Sequence, residues 1–278
     1  MIDDGQAEQA TRNSEGVQLN NLRTYGNAPF AVAVIHGGPG APGSMAPVAR
    51  ELSSRRGVLE PLQMAPSVEG QLQELQAVLK THADLPVTLI GSSWGAMLSF
   101  IFAARFPVHV AKLILVGSAV YDEQYARAIQ ETRISRLDEE AKREVLSLLT
   151  ILSDPAVSDK CTPLARLGAL FTEADAYNPV TLDTEVLEHQ YHLNQNVWGE
   201  AAELRRSGKL LELGKQIQCP VVAIHGDYDP HPAEGIRKPL APILGNFRFV
   251  LLKNCGHLPW IEKEARGEFY RVLEAELR

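Results

Sequence analysis

Cysteine is scarce in this chain. Cys161, Cys219 and Cys255 are the only three in 278 residues, they lie far apart, and none belongs to a Cys-x-x-Cys pair. That excludes a disulfide framework and offers no zinc-binding spacing. An excess of basic charge is missing too: 27 Lys and Arg stand against 34 Asp and Glu, for a net charge of −7. Neither nucleic acid nor an anionic membrane surface is an expected partner. No apolar run reaches the roughly 20 residues that span a bilayer. Met1 to Glu15 is polar and acidic, without the basic start and apolar core of a signal peptide, so a cytoplasmic location is expected and residues 1–16 read as loosely attached.

What is present is ordinary for a globular protein: 45% hydrophobic and 22% charged residues. The length suits one large α/β domain, or one that carries an inserted subdomain. Apolar runs mark the strands: Phe30–Ile35, Val58–Leu62, Val87–Ile90, Lys112–Val116, Pro220–Ile224 and Phe247–Leu252. Near-continuous apolar strands are those covered on both faces. Between them, Ser67 reads as a helix N-cap, with Val68, Leu72, Leu75 and Leu79 at helical spacing behind it. Another helix is expected over Ser44–Ser53 and a last one over Trp260–Leu277. From Tyr121 to Gln216 apolar strands vanish and charged helical patterns take over, at 138–152, 164–171 and 184–206. The reading is α/β: a mostly parallel sheet with helices on both faces, built from residues 1–120 and 217–278, with a helical insertion over 121–216.

Gly91-Ser92-Ser93-Trp94-Gly95 joins the strand Val87–Ile90 to a helical run that ends near Arg105. A strand-turn-helix of this kind lifts a serine hydroxyl out of the sheet, and proposes Ser93 as a nucleophile. A hydroxyl needs a base, and the base needs an orienting carboxylate. Two later strands run into suitable groups. After Pro220–Ile224 comes His225-Gly226-Asp227-Tyr228-Asp229-Pro230, and after Phe247–Leu252 comes Asn254-Cys255-Gly256-His257. Both lie at C-terminal strand ends, where open α/β sheets build their sites. His257 is the expected base. His225 reads as a packed strand-end residue, His231 as part of a proline-rich loop, and His82 and His109 as surface residues. His189 and His192, three apart, lack a third metal ligand at a recognisable spacing. Asp227 and Asp229 both qualify as the acid.

An anionic tetrahedral intermediate needs two backbone N–H donors. Trp94, at the start of its helix, is one. The turn His36-Gly37-Gly38-Pro39-Gly40 supplies the other, from Gly38 or from Gly37. None of these parts needs a metal or an organic cofactor.

These residues together resemble the α/β-hydrolase superfamily, in the chain order Ser, Asp, His. His36-Gly37-Gly38-Pro39-Gly40, Gly91-Ser92-Ser93-Trp94-Gly95 and Gly256-His257-Leu258-Pro259-Trp260-Ile261-Glu262 look like its proline iminopeptidase branch. The resemblance implies an α/β-hydrolase fold with a helical cap over 121–216, and a Ser93–His257–Asp229 triad, because the acid of this fold closes a Gly-x-x-Asp loop. It implies acyl transfer from a small molecule or a short peptide. Serine rather than aspartate at the elbow sets the chain apart from dehalogenases and epoxide hydrolases of this fold. In the iminopeptidases an Asp-Gln-Arg-Gly-x-Gly-x-Ser segment follows the oxyanion turn, and the Arg55–Gln63 region departs from it. Cap acids of that branch hold a substrate amine; Glu173, Glu185, Glu188, Glu200 and Glu203 are the acids here. Three function classes stay open: a peptidase or amidase, a carboxylesterase on small acyl esters, and a non-catalytic ligand sensor.

Overall fold

The computed structural model describes residues 21–180 and 190–278. Its centre is a seven-stranded sheet formed by β1 (Leu22–Tyr25), β2 (Val32–Ile35), β3 (Val58–Pro61), β4 (Val87–Ser92), β5 (Val110–Val116), β6 (Val221–Gly226) and β7 (Phe247–Leu252), in the order β1-β3-β2-β4-β5-β6-β7. Only β1 runs antiparallel, pairing Leu22 with Pro61 at the edge. The five central registers are parallel, for example Ile90 with Ile114 and Ile114 with Val222.

Alternation along the inner strands sends side chains to two separate cores. Leu89, Leu113 and Leu115 face one; Ile90, Ile114 and Val116 face the other. The first core takes α2 (Val68–His82) through Leu72, Leu75 and Leu79, α3 (Trp94–Arg105) through Met97 and Phe100, and α9 (Glu234–Leu240) through Ile236. The second takes α1 (Ala46–Ser53) through Val48 and Leu52, and α10 (Arg266–Glu276) through Phe269 and Leu273. Burial of such side chains is worth about 1.5–3 kcal/mol each, which makes both helical layers obligatory. Ser67 caps α2 by accepting the Gly70 N–H at 3.1 Å.

Between β5 and β6 lie α4 (Ile129–Arg136), α5 (Glu139–Ser153), α6 (Cys161–Asp175), α7 (Tyr191–Arg206) and α8 (Lys209–Gly214). Helices α5 and α6 close on a small core of their own, with Val145, Leu148, Leu167 and Leu170. By contrast, Leu193, Val197 and Ala201 of α7 and Leu210 of α8 join the first main core. The insertion is thus anchored at its C-terminal end and self-packed earlier.

Some expectations shift. The edge strand β1 is half-exposed and carries no apolar run to announce it. The C-terminal helix begins at Arg266 rather than Trp260. Residues 259–261 form a single 3-10 turn, and 261–263 then pair with the segment after α6: Val180 N–H donates to Ile261 O at 2.7 Å and Lys263 N–H to Asn178 O at 3.1 Å. Backbone committed to that pairing cannot continue a helix. His109 is half-buried against Phe102 and Phe106 instead of lying on the surface. The loosely attached residues 1–16, the helical pattern over 184–189, Glu185, Glu188 and His189 lie outside the described residues.

Candidate active site

Ser93 sits between β4 and α3 at φ +53°, a conformation that costs an L-residue strain and is held only when its surroundings enforce it. The surroundings are backbone. Ser93 N–H donates to Val116 O at 3.0 Å. A Cβ on Gly91 would fall on the Gly95 carbonyl, and one on Gly95 would fall on the carbonyls of Ile35 and His36. Strand, turn and helix therefore approach more closely than any side chain permits. Ser92 and Trp94 on either side are buried, while Ser93 keeps partial exposure.

Trp94 is the first residue of α3, so its N–H lies outside the intrahelical ladder. Its ring is buried, donates Nε1–H to Gln71 Oε1 at 2.9 Å, and meets the edge of Trp198 on α7. The turn after β2 runs beside the elbow: a Cβ on Gly37 would stand 3.2 Å from Ser93 Cβ. Gly37 N–H is already engaged by Ser44 Oγ at 3.3 Å. The next residue, Gly38, has φ +49° and accepts the Ala41 N–H, closing the turn. His36 is fully buried. Its Nε2 accepts the Gln63 N–H at 3.1 Å, so its proton is on Nδ1 and is donated to Gly37 O at 2.9 Å. Burial pulls the His36 imidazole down to about 4 and keeps it neutral. Residues of the insertion reach the same turn: Gln190 N–H donates to Gly40 O and Asn194 Nδ2 to Pro39 O.

His257 follows β7 and lies against the turn after β5, its carbonyl resting where a Cβ of Gly117 would be. His257 and the Ser93 elbow thus flank the same Val116–Gly117 segment. His257 Nδ1–H donates to Asp229 Oδ2 at 2.8 Å. That bond fixes the tautomer and leaves Nε2 unprotonated on the far side of the ring. Asp229 is buried. Asp227 is not part of this contact; it is exposed, 3.4 Å from Lys253 Nζ, and accepts the Cys255 N–H. Burial alone would raise the Asp229 carboxyl, but His257, His225 and His231 around it hold it well below the usual carboxylate range. Burial likewise opposes charge on His257, and the facing Asp229 outweighs it, so the imidazole is raised above its ordinary value. Cys255 is buried with its thiol pushed up by burial, which makes it a packing residue.

Three participants carried no clear signal in the sequence. His231 gives Asp229 Oδ1 both its Nδ1–H, at 2.9 Å, and its backbone N–H, at 2.8 Å, and its ring stacks on His257 with centroids 4.6 Å apart. A histidine two residues past the acid, between Pro230 and Pro232, was the hint available. Glu262 is fully buried and accepts three backbone N–H groups at 2.8 Å each, from Gly256, Tyr177 and Asn178. It stitches the His257 loop to the segment after α6. Asp175, at the end of α6, accepts the His257 N–H on its carbonyl at 3.0 Å, and its carboxylate takes a two-pronged pair from Arg133 at 2.8 and 2.6 Å. Donor atoms of Asp229, His231 and His257 lie within 4.8 Å of one another, a spacing open to a metal, but both Nδ1 atoms are directed at the carboxylate at hydrogen-bond length.

The profile of the alpha/beta hydrolase fold family matches residues 67–264. The chain belongs to that family. Among solved structures, this α/β-hydrolase is similar to a lipase described as putative from Acinetobacter baumannii AYE, at 16% identity over 93% of this chain and 90% of that one, with a TM-score of 0.62. A thermophilic esterase from Thermogutta terrifontis matches at 17% identity over 92% of each chain, TM-score 0.60. Proline iminopeptidase of Mycobacterium smegmatis matches at 16% identity over 92% of this chain and 93% of that one, TM-score 0.57. At these identities the likeness is one of fold. No curated protein matches the sequence. No helix among the described residues is long and apolar enough to cross a membrane.

Proposed function

We propose that this α/β-hydrolase cleaves an ester or amide bond through an acyl-enzyme on Ser93. The observation that carries the reading is the 2.8 Å bond from His257 Nδ1 to Asp229 Oδ2, beside a strained serine turn. In this reading His257 Nε2 removes the Ser93 proton as the hydroxyl attacks the carbonyl carbon. Asp229 holds the tautomer and balances the imidazolium. The N–H groups of Trp94 and Gly38 take the oxyanion; Gly38 is favoured over Gly37 because Gly37 N–H already has Ser44. His257 then protonates the leaving group, and a water molecule repeats the cycle on the acyl-enzyme. Residues 1–120 and 217–278 form the catalytic core, and the insertion over 121–216 roofs it and selects a small-molecule or short-peptide substrate.

Among the described residues, the state of the candidate cap acids favours an ester substrate over an N-terminal amide. A free substrate amine needs an unpaired carboxylate. Asp175, the buried cap acid beside His257, is already paired with Arg133. Glu200 accepts the Val68 N–H, Glu203 pairs with Arg206, and Glu173 is exposed. The test is a fluorophosphonate probe together with a panel of acyl nitrophenyl esters and Pro-arylamide. The expected result is labelling and ester turnover by the wild type, with both lost in Ser93→Ala while the circular dichroism spectrum and Tm are kept. Pro-arylamide turnover exceeding that of short esters would reverse the ester preference. A folded wild type that the probe leaves unlabelled would favour a ligand sensor.

A further inference from the structure

The unexplained feature of the site is a second histidine on the same carboxylate. Asp229 accepts from His231 twice on Oδ1 and from His257 on Oδ2, while His225 Nε2 lies 3.5 Å from Oδ2 and donates to His231 O at 2.7 Å. His231 is buried, and its ring is nearly parallel to that of His257, at 23°. Prolines on both sides restrict its backbone. Filling that space needs only an apolar ring. A histidine brings two polar nitrogens into the interior, a cost that must be met by what they bind.

We propose that His231 is a positioning residue of this active site, clamping the His257 ring by stacking on it and holding Asp229 through its second oxygen. The inference rests on the Ser93–His257–Asp229 reading. Two effects follow from the geometry. The stacked ring opposes rotation of His257 about its side-chain bonds, which keeps Nε2 in one direction through both half-reactions. A carboxylate that already accepts two bonds on Oδ1 is a weaker base, so it keeps its charge and leaves the shared proton on His257 Nδ1. His231 is itself held neutral, drawn down to about 4 mainly by burial. The other charged groups facing His257 are Asp175 and Arg133 from the cap, which form a matched pair.

Two variants separate the effects. His231→Phe keeps a stacked ring and deletes the Nδ1–H bond. Freed of one donor, Asp229 acts more strongly on His257, so the His257 titration and the acid limb of kcat/KM should move up by about half a unit. His231→Asn keeps a donor for Oδ1 and deletes the stack. Its acid limb should stay at the wild-type position while kcat falls roughly tenfold with KM little changed. The titration is read by NMR of the His257 ring, which needs no turnover. In the wild type the His231 ring should not titrate between pH 5 and 8, a reading that requires no variant to fold. A His231 that titrates near 6.5 overturns the proposal. So does a folded His231→Phe with an unmoved His257 titration, whatever its kcat, since loss of activity alone is what a structural role produces. Ser93→Ala measured alongside keeps the two readings apart. Turnover in Ser93→Ala sinks the catalytic reading, whereas an inert Ser93→Ala beside an unaltered His231→Phe sinks only the role of His231.

Discussion

Around Ser93 the contacts are backbone against backbone. Gly91, Gly95 and the carbonyls of Ile35 and His36 pack with no room for a Cβ, and the Ser93 N–H is tied to Val116. Around His257 two of the three contacts are made by side-chain carboxylates. Asp229 holds the ring, Glu262 holds Gly256, and Asp175 at the end of α6 accepts the His257 N–H on its carbonyl. Ser93's geometry is thus set by a stretch of five residues packed against the backbone of β2 and β5. His257 is instead held by Glu262, five positions away, Asp229, 28 away, and Asp175, 82 away and inside the insertion.

The sharpest probe of the carboxylate half is its first member. Asp229→Asn preserves shape but removes the charge, and permits the wrong His257 tautomer. By analogy with serine proteases, kcat should fall about 10⁴-fold. Asp227→Asn, on the exposed side with Lys253, should leave kcat within a factor of a few. Steady-state kinetics on one activated ester decides between them, and a crippling Asp227→Asn would show that the contact with His257 is not the working one.

The backbone half breaks differently. Gly91→Ala places a methyl on the Gly95 carbonyl, which is backbone and cannot swing aside. We expect a loss of more than about 4 kcal/mol, or failure to fold, seen as a collapse of the urea midpoint. A well-folded Gly91→Ala with normal activity would mean the elbow is looser than its packing. Glu262→Gln tests the other half at a distance from the chemistry. Its amide puts an NH₂ where three N–H donors converge, which should cost about 3 kcal/mol and loosen the His257 loop. Activity should drop with stability, and hydrogen exchange at Gly256, Tyr177 and Asn178 should rise together.

The contrast also explains what could be read from sequence. The elbow is local, and its strand and helix announce themselves, so Val87 to Arg105 was legible nearly to the residue. The meeting of Asp229 and His257 was legible because each follows an apolar strand. Long-range support was not. Glu262 sits at the end of an apolar run and looked like the first turn of a helix, when its carboxylate is buried under three N–H groups. His231 looked like a loop residue because nothing in Pro230-His231-Pro232 tells that the ring turns inward. The insertion was legible as helices through its acidic starts and leucine faces, but the docking of α7 by Leu193, Val197 and Ala201 into the main core depends on distant partners such as α2. Edge strand β1 was missed because a half-exposed strand needs no apolar pattern.

The smallest effect concerns protons rather than contacts, and its sign differs from group to group. His36 in the turn after β2 and His231 beside Asp229 both have folded values near 4, against about 6.5 when unfolded. Between pH 6.5 and 4 the unfolded chain takes up protons that the folded chain refuses, so stability falls as pH falls. His257 works the other way: its raised value contributes stability below about 6.5, and that contribution is lost as pH rises through the folded value. Asp229, lowered by its neighbours, contributes above about 3.8 and loses that only in stronger acid. From pH 6.5 to 5 each buried neutral histidine should therefore cost on the order of 2 kcal/mol. His36→Asn keeps a donor toward Gly37 O and removes one of the two titrating rings. Its Tm at neutral pH should be lower than that of the wild type, because Gln63 N–H loses its acceptor, yet its decline between pH 6.5 and 5 should be shallower. Parallel Tm curves for the two proteins would mean that His36 takes up a proton as readily in the folded chain as in the unfolded one, and that burial does not hold its ring neutral.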